Sequence, residues 1–245
     1  MKIFLAGSGH LQWVEDNFLD FNRLESFYYI SKKEIPFISK YNNFLLDSGA
    51  FTFMSNSKSR TDWDEYVEQY ANFINRHDIK HFFELDIDVL VGINEVERLR
   101  AKLEKLTNKK SIPVWHKFRG KDYWLKMVKD YDYVAIGGIV TKEIKPSEYK
   151  YFTWLLNEAK KENCKVHGLG FTSLVGLTKY PFYSVDSTTW LSGSRFGEIH
   201  SFDGRTIERN RAKEGHRAKS NKATIHNFYE WIKFCKYMEF KYNIK

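Results

Sequence analysis

Residues 44–53 read FLLDSGAFTF. The apolar run Phe44–Leu46 has the character of a strand buried on both faces, as in parallel sheets covered by helices. It breaks off at Asp47, then presents a hydroxyl at Ser48 and a glycine at Gly49 before returning to aromatic Phe51. A carboxylate that ends an apolar strand either caps the next element or stands at the mouth of a pocket. The same pattern recurs along the chain, and that recurrence favours the pocket.

Short β-rich runs alternate with helical periods. KIFLAG (2–7), SFYYI (26–30), NFLLDSG (43–49), HFFELD (81–86), IPVWHK (112–117), YVAIGG (133–138), KVHGLG (165–170) and YSVDS (183–187) read as strands. Tyr66, Val67, Tyr70, Phe73 and Ile74 share one helical face, with Thr61 as the N-cap candidate. Ile93, Val96, Leu99, Leu103 and Leu106 form a second face, and 147–162 and 223–241 read as further helices, the last with Ile225, Phe228, Ile232 and Cys235 on one side. Eight strands interleaved with amphipathic helices predict a (β/α)8 TIM barrel, a single α/β domain over 1–245. Residues 191–222 read as an irregular basic segment before the C-terminal helix. An open Rossmann-type sheet is the alternative fold. No GxGxxG or GxxxxGK[ST] follows any strand, and the GSG at 7–9 is only a turn signal.

No run approaches the roughly 20 apolar residues needed to span a bilayer, so the expectation is a soluble protein with no membrane partner. Two cysteines, Cys164 and Cys235, argue against a disulfide framework or a thiolate zinc site, and point to a reducing cytoplasm. The balance of 39 Lys+Arg against 31 Asp+Glu, a formal +8, is compatible with a polyanionic partner. Between Arg205 and Lys222, seven basic residues face two acidic ones, a pattern of either a solvated face or a phosphate-contacting surface.

The strand ends carry the chemistry. They present Asp47; Asp86 and Asp88; His116; Gly137 and Gly138; Gly168 and Gly170; and Asp186. In a parallel barrel these positions converge on one face. Singly, Asp88 could merely cap a helix, His116 could be a structural imidazole, and the glycine pair could form a tight turn. Several polar or glycine ends in one register point instead to a pocket, where glycines let backbone N–H groups approach a flat ligand.

The order of these motifs resembles the tRNA-guanine transglycosylases, and among them the zinc-free phage and bacterial relatives that insert 7-deazaguanines into DNA. LDSGAF is similar to the family's Asp-Ser-Gly-Gly-Phe segment, with alanine at the second glycine. ELDID, VAIGGI and VHGLG resemble its base-recognising segments, and YSVDSTTWLSGSRFG resembles its nucleophile and Thr-Arg loop. The resemblance covers roughly residues 44–197. The chain departs from the tRNA-acting members in lacking the Cys-x-Cys-x-x-Cys zinc site and in carrying WHK where they bear a glutamine.

The resemblance implies exchange of guanine in DNA for a 7-deazaguanine base through a covalent glycosyl-aspartate, with tRNA as the alternative polymer and no cofactor or metal. Asp186 would be the nucleophile, as in retaining glycoside chemistry, and Asp47 the general acid/base. Asp86, the Gly137–Gly138 amides, Ser48 and Gly170 would contact the base. His116 would orient base or ribose, and Phe51 or Trp190 would stack on a flipped base. Arg195, Arg205, Arg209 and Arg211 would hold phosphates. A metal-assisted hydrolase using Asp47, Asp86, Asp88 and His116, and a non-catalytic nucleic-acid-binding barrel, are the competing readings.

Overall fold

A computed structural model describes residues 1–7, 20–49, 52, 61–211 and 221–242. Seven strands pair in parallel: β1 (Lys2–Ala6), β2 (Asn22–Ser26), β3 (Asn43–Asp47), β4 (Val114–Trp115), β5 (Tyr133–Ile136), β6 (Lys165–Gly168) and β7 (Ser184–Ser187). Their order is β3-β2-β1-β7-β6-β5-β4. The sheet curls into a half-barrel, and the expected closed (β/α)8 barrel is corrected accordingly.

One of the eight expected strands is absent and another is displaced along the sequence. HFFELD forms no strand: Phe82 and Phe83 make one isolated bridge each, to Leu46 beside one sheet edge and to Ile112 beside the other. Next to Phe83, Glu84 gives its N–H to the Ile112 carbonyl at 3.1 Å, and its carboxylate accepts the Val114 N–H at 2.7 Å and meets two arginines. SFYYI contributes only Ser26, and residues 27–29 turn. The strand there is NRLES, hidden from hydropathy because Arg23 and Glu25 are buried together as an ion pair. Arg23 also donates to the Leu5 and Gly7 carbonyls, which satisfies part of what a buried guanidinium needs; its Nε has no hydrogen-bond partner among the described residues.

The helices are α1 (Trp63–Arg76), α2 (Asp88–Val91), α3 (Ile93–Thr107), α4 (Gly120–Asp130), α5 (Tyr151–Lys161), α6 (Leu174–Lys179), α7 (Ser192–Phe196) and α8 (Asn221–Lys241). Asp62, not Thr61, caps α1, accepting from the Asp64 and Glu65 N–H groups. Val67, Tyr70, Ala71 and Ile74 of α1 share a core with Val96, Leu99 and Leu103 of α3, whereas Leu106 is exposed. The segment expected to be irregular contains α7 and an antiparallel hairpin, β8 (Glu198–Phe202) with β9 (Ile207–Arg211). Asn227 on α8 holds that hairpin through the His200 N–H and the Glu198 carbonyl. Among the described residues no helix is long and apolar enough to cross a membrane.

One geometric consequence positions everything that follows. Phe4, Ala6, Leu24, Leu45, Val114 and Ala135 pack as one apolar layer with Phe83 and Ile112. Alternate residues of a strand share a face. The next residue on that face is therefore Ser26 after Leu24, Asp47 after Leu45, His116 after Val114 and Gly137 after Ala135. The pleat alone delivers these polar and glycine positions to one side, at or just beyond the C-terminal ends of the strands.

Candidate active site

A cavity of about 1190 Å³ opens above that layer. It is lined by Asp47, Asp86, His116, Gly137, Gly138, Gly170 and Asp186 from the strand ends, and by Arg195 and Arg209. Of the other sequence-expected residues, Ser48 is fully buried and does not line the cavity; among the described residues its hydroxyl has no hydrogen-bond partner. Trp190 is also core: its indole donates to the Ala6 carbonyl at 2.9 Å and packs on Phe228. Arg205 is exposed at the tip of the β8–β9 hairpin, away from the cavity. Phe51 and the Arg211 side chain lie outside the described residues.

Asp47 ends β3 and is half-buried; its Oδ2 accepts the Gly49 N–H at 3.0 Å. Burial pushes its carboxyl up to about 6, and the charges of Asp186 and Asp86 push the same way against that hydrogen bond. Asp186, buried at the end of β7, is held differently. Its Oδ1 accepts the Gly170 N–H at 2.6 Å and faces His167 Nε2 at 3.2 Å. Two carboxyl groups in one cavity thus occupy distinct environments, the arrangement that separates acid from nucleophile in carboxylate enzymes.

Opposite them, His116 is clamped between carboxylates, with Nε2 2.8 Å from Asp86 and Nδ1 2.7 Å from Glu143. Burial works against its charge, but the Asp86 hydrogen bond and charge, helped by Glu143, raise it to about 9, so it is an imidazolium. The ring lies over Gly137, where an added Cβ would stand 2.9 Å from two ring atoms and from Val114. Gly137 is therefore a packing requirement for His116 as well as a cavity wall. Beneath them, Arg119 bridges Asp88 at 2.7 Å and Glu84 at 3.1 Å, and Arg100 takes the other Glu84 oxygen at 2.9 Å.

Asp86, Asp88 and His116 bring one ligand atom each to within 4.8 Å of one another, the donor set a metal-assisted hydrolase would need. Those donors are already committed: Asp88 holds Arg119, and both His116 nitrogens face carboxylates. A guanidinium and an imidazolium thus offset the negative charge, and an entering metal ion would have to displace one of them.

Sequence reasoning did not single out Glu143, Arg119 or His167. His167 lies in the VHGLG segment whose glycines the sequence did single out, but no pattern in that segment set the histidine apart. The distal ion pairs carried no signal, because they join segments distant in sequence.

The chain matches no protein-family model and no curated protein. Fold and site together define a class: an α/β protein whose curled parallel sheet bears a carboxylate-lined cavity at the C-terminal ends of its strands.

Proposed function

We propose that this protein is a nucleobase transglycosylase, exchanging guanine in DNA for a 7-deazaguanine base through a glycosyl-aspartate intermediate. Asp186 attacks C1′ as the C1′–N9 bond breaks. The departing electron pair goes to the guanine, which takes a proton from the neutral Asp47 carboxyl. An incoming base then gives its N9 proton to the Asp47 carboxylate and bonds C1′, and the Asp186–C1′ bond breaks to restore the carboxylate. A carboxyl that titrates at about 6 suits this two-way proton traffic near neutral pH.

The observation that carries the reading is that Asp47 and Asp186, far apart in the chain, line one cavity together with Asp86 and the Gly137–Gly138 pair. Asp86 is an acceptor suited to the N1–H and exocyclic amine of guanine, and the Gly138 N–H suits its carbonyl oxygen, the Gly137 N–H being given to the Trp115 carbonyl at 2.9 Å. Arg195 and Arg209, at the same cavity, are suited to flanking phosphates. The base must be flipped from a duplex or taken from a single strand to enter.

The test is incubation with duplex DNA, single-stranded DNA and tRNA, each with labelled guanine or a 7-deazaguanine, followed by nucleoside mass spectrometry. Incorporation into DNA, abolished in Asp186→Ala, is the expected result. Incorporation confined to tRNA would transfer the activity to RNA. No incorporation into any polymer, or full activity in Asp186→Ala, would overturn the proposal.

A further inference from the structure

Behind Asp186 runs a buried chain of polar side chains to which the chemistry above assigns no role. His167 Nε2 stands 3.2 Å from Asp186 Oδ1, and His167 Nδ1 stands 2.7 Å from Ser184 Oγ. Ser184 Oγ is in turn hydrogen-bonded to Tyr133 Oη. His167 and Ser184 are fully buried. The imidazole is packed between Phe4 and Phe83, with ring centroids 6.0 and 5.3 Å away. Register explains the assembly: His167 pairs with Ser184 across β6 and β7, and with Ala135 across β5 and β6, two residues from Tyr133.

The donors in this chain can be assigned from chemistry. A carboxylate only accepts, so His167 Nε2 carries the proton toward Asp186. In the arrangement proposed below the ring carries that one proton, so Nδ1 accepts from the Ser184 hydroxyl, and Ser184 Oγ accepts from the Tyr133 hydroxyl. Every donor points toward Asp186. Both donors to the carboxylate, the Gly170 N–H and the His167 Nε2–H, terminate on Oδ1. Among the described residues Oδ2 receives none.

We propose that His167 is a positioning residue that fixes which carboxylate oxygen of Asp186 reacts: by holding Oδ1, it leaves Oδ2 to bond C1′. This rests on the transglycosylase reading. In the glycosyl-enzyme, Oδ1 becomes the ester carbonyl and keeps both hydrogen bonds. When the Oδ2–C1′ bond breaks, the negative charge returning to the carboxylate is met by the same two donors, without any proton transfer from the imidazole. The ring's identity as a histidine follows from the geometry, because it must donate at one end while accepting at the other. The acceptor-only Asp186 carboxylate fixes that tautomer, and the rotatable serine and tyrosine hydroxyls accommodate it.

The test compares His167→Leu, His167→Gln and His167→Asn in steady-state base exchange, alongside nitrogen-15 NMR of the wild-type imidazole. His167→Leu is expected to lower kcat about 100-fold while leaving KM for the nucleic acid unchanged, the scale of losing one preorganised donor. Glutamine, whose amide N–H reaches about as far as Nε2, is expected to restore most of the rate, and the shorter asparagine is not. Should the leucine variant fail to fold, the glutamine–asparagine contrast decides alone. Equal rates for glutamine and asparagine, or an undiminished leucine variant, would overturn the inference. NMR is expected to show a neutral ring protonated at Nε2, independently of any activity. A ring protonated at Nδ1, or at both nitrogens, would also overturn it. Absence of exchange by the wild type would instead remove the transglycosylase reading, with the tautomer still reporting on the bond to Asp186.

Discussion

Asp47 is the side chain whose environment differs most from what its position in the chain suggests. An aspartate after a strand is ordinarily a solvated cap, whereas here burial and two neighbouring carboxylates hold it protonated to about 6. The folded state therefore binds this proton more tightly than the unfolded chain, whose carboxyl titrates near 3.8. The resulting stabilisation is complete below pH 3.8 and is lost as pH rises through 6. Two units correspond to about 3 kcal/mol, which residual solvent contact at the cavity reduces to about 1–2 kcal/mol. Asp47→Asn removes the charge and should therefore melt higher than wild type at pH 7.5 by a few degrees, with the gain absent at pH 4, even as base exchange is lost. Equal melting temperatures at pH 7.5 would contradict the assignment of its environment. Gly137→Ala makes a sharper steric claim. Its Cβ would stand 2.9 Å from the His116 ring and Val114, so a cost of about 1–3 kcal/mol in denaturant unfolding is expected, from overpacking and not from φ. Both residues were legible in the sequence as strand ends; the reasons they matter were not, because those lie in neighbours on other strands.

At the scale of elements, the end of β4 illustrates how a strand delivers a charge network. Val114 faces the apolar layer, and His116, two residues on, meets Asp86 and Glu143 from separate segments. With its folded value raised from 6.5 to about 9, His116 contributes stability in full below 6.5 and loses it as pH rises through 9. At about 1.4 kcal/mol per unit the contribution is at most about 3.5 kcal/mol. His116→Gln should be less stable than wild type at pH 6, and the gap should close by pH 10 in urea titrations. A gap that stays constant with pH would show that packing against Phe118, not charge, is what the histidine supplies. Hydropathy revealed β1, β3 and β5 because their residues are apolar on both faces, whereas β6 (KVHG) and β7 (SVDS) carry only Val166 and Val185 as apolar side chains. It missed β2, where Arg23 and Glu25 are buried as partners, and the β8–β9 hairpin, whose EIHSF strand mixes charge with apolar residues. HFFELD was apolar enough to be a strand, yet it makes only two isolated bridges, with Glu84 beyond them meeting Arg100 and Arg119.

For the molecule as a whole, the open question is whether the formal +8 charge draws a polyanion everywhere or at the cavity alone. Composition could not decide this, because solubility and nucleic-acid binding both favour a basic excess. The fold makes the alternatives distinct. Arg195 on α7 and Arg209 on β9 are exposed residues that line the cavity, and they also line a smaller adjoining one of about 420 Å³ with Thr188, Thr189 and Ser192. Lys105 and Lys160 are exposed on the outer helices α3 and α5. A phosphate neutralised by an arginine releases a condensed counterion, so each contact adds about 0.7 (single strand) to 0.9 (duplex) to the slope of log affinity against log salt. If DNA is drawn to the cavity mouth, the Arg195→Ala/Arg209→Ala double variant should flatten that slope by about 1.4–1.8 in fluorescence anisotropy. It should weaken binding evenly across sequences, because phosphate contacts orient a nucleic acid without reading its bases. The Lys105→Ala/Lys160→Ala variant removes the same net charge and should leave the slope almost unchanged. Equal flattening by both pairs would mean that a diffuse field, not the cavity rim, attracts the polymer, and no phosphate contact could then be assigned to Arg195 or Arg209.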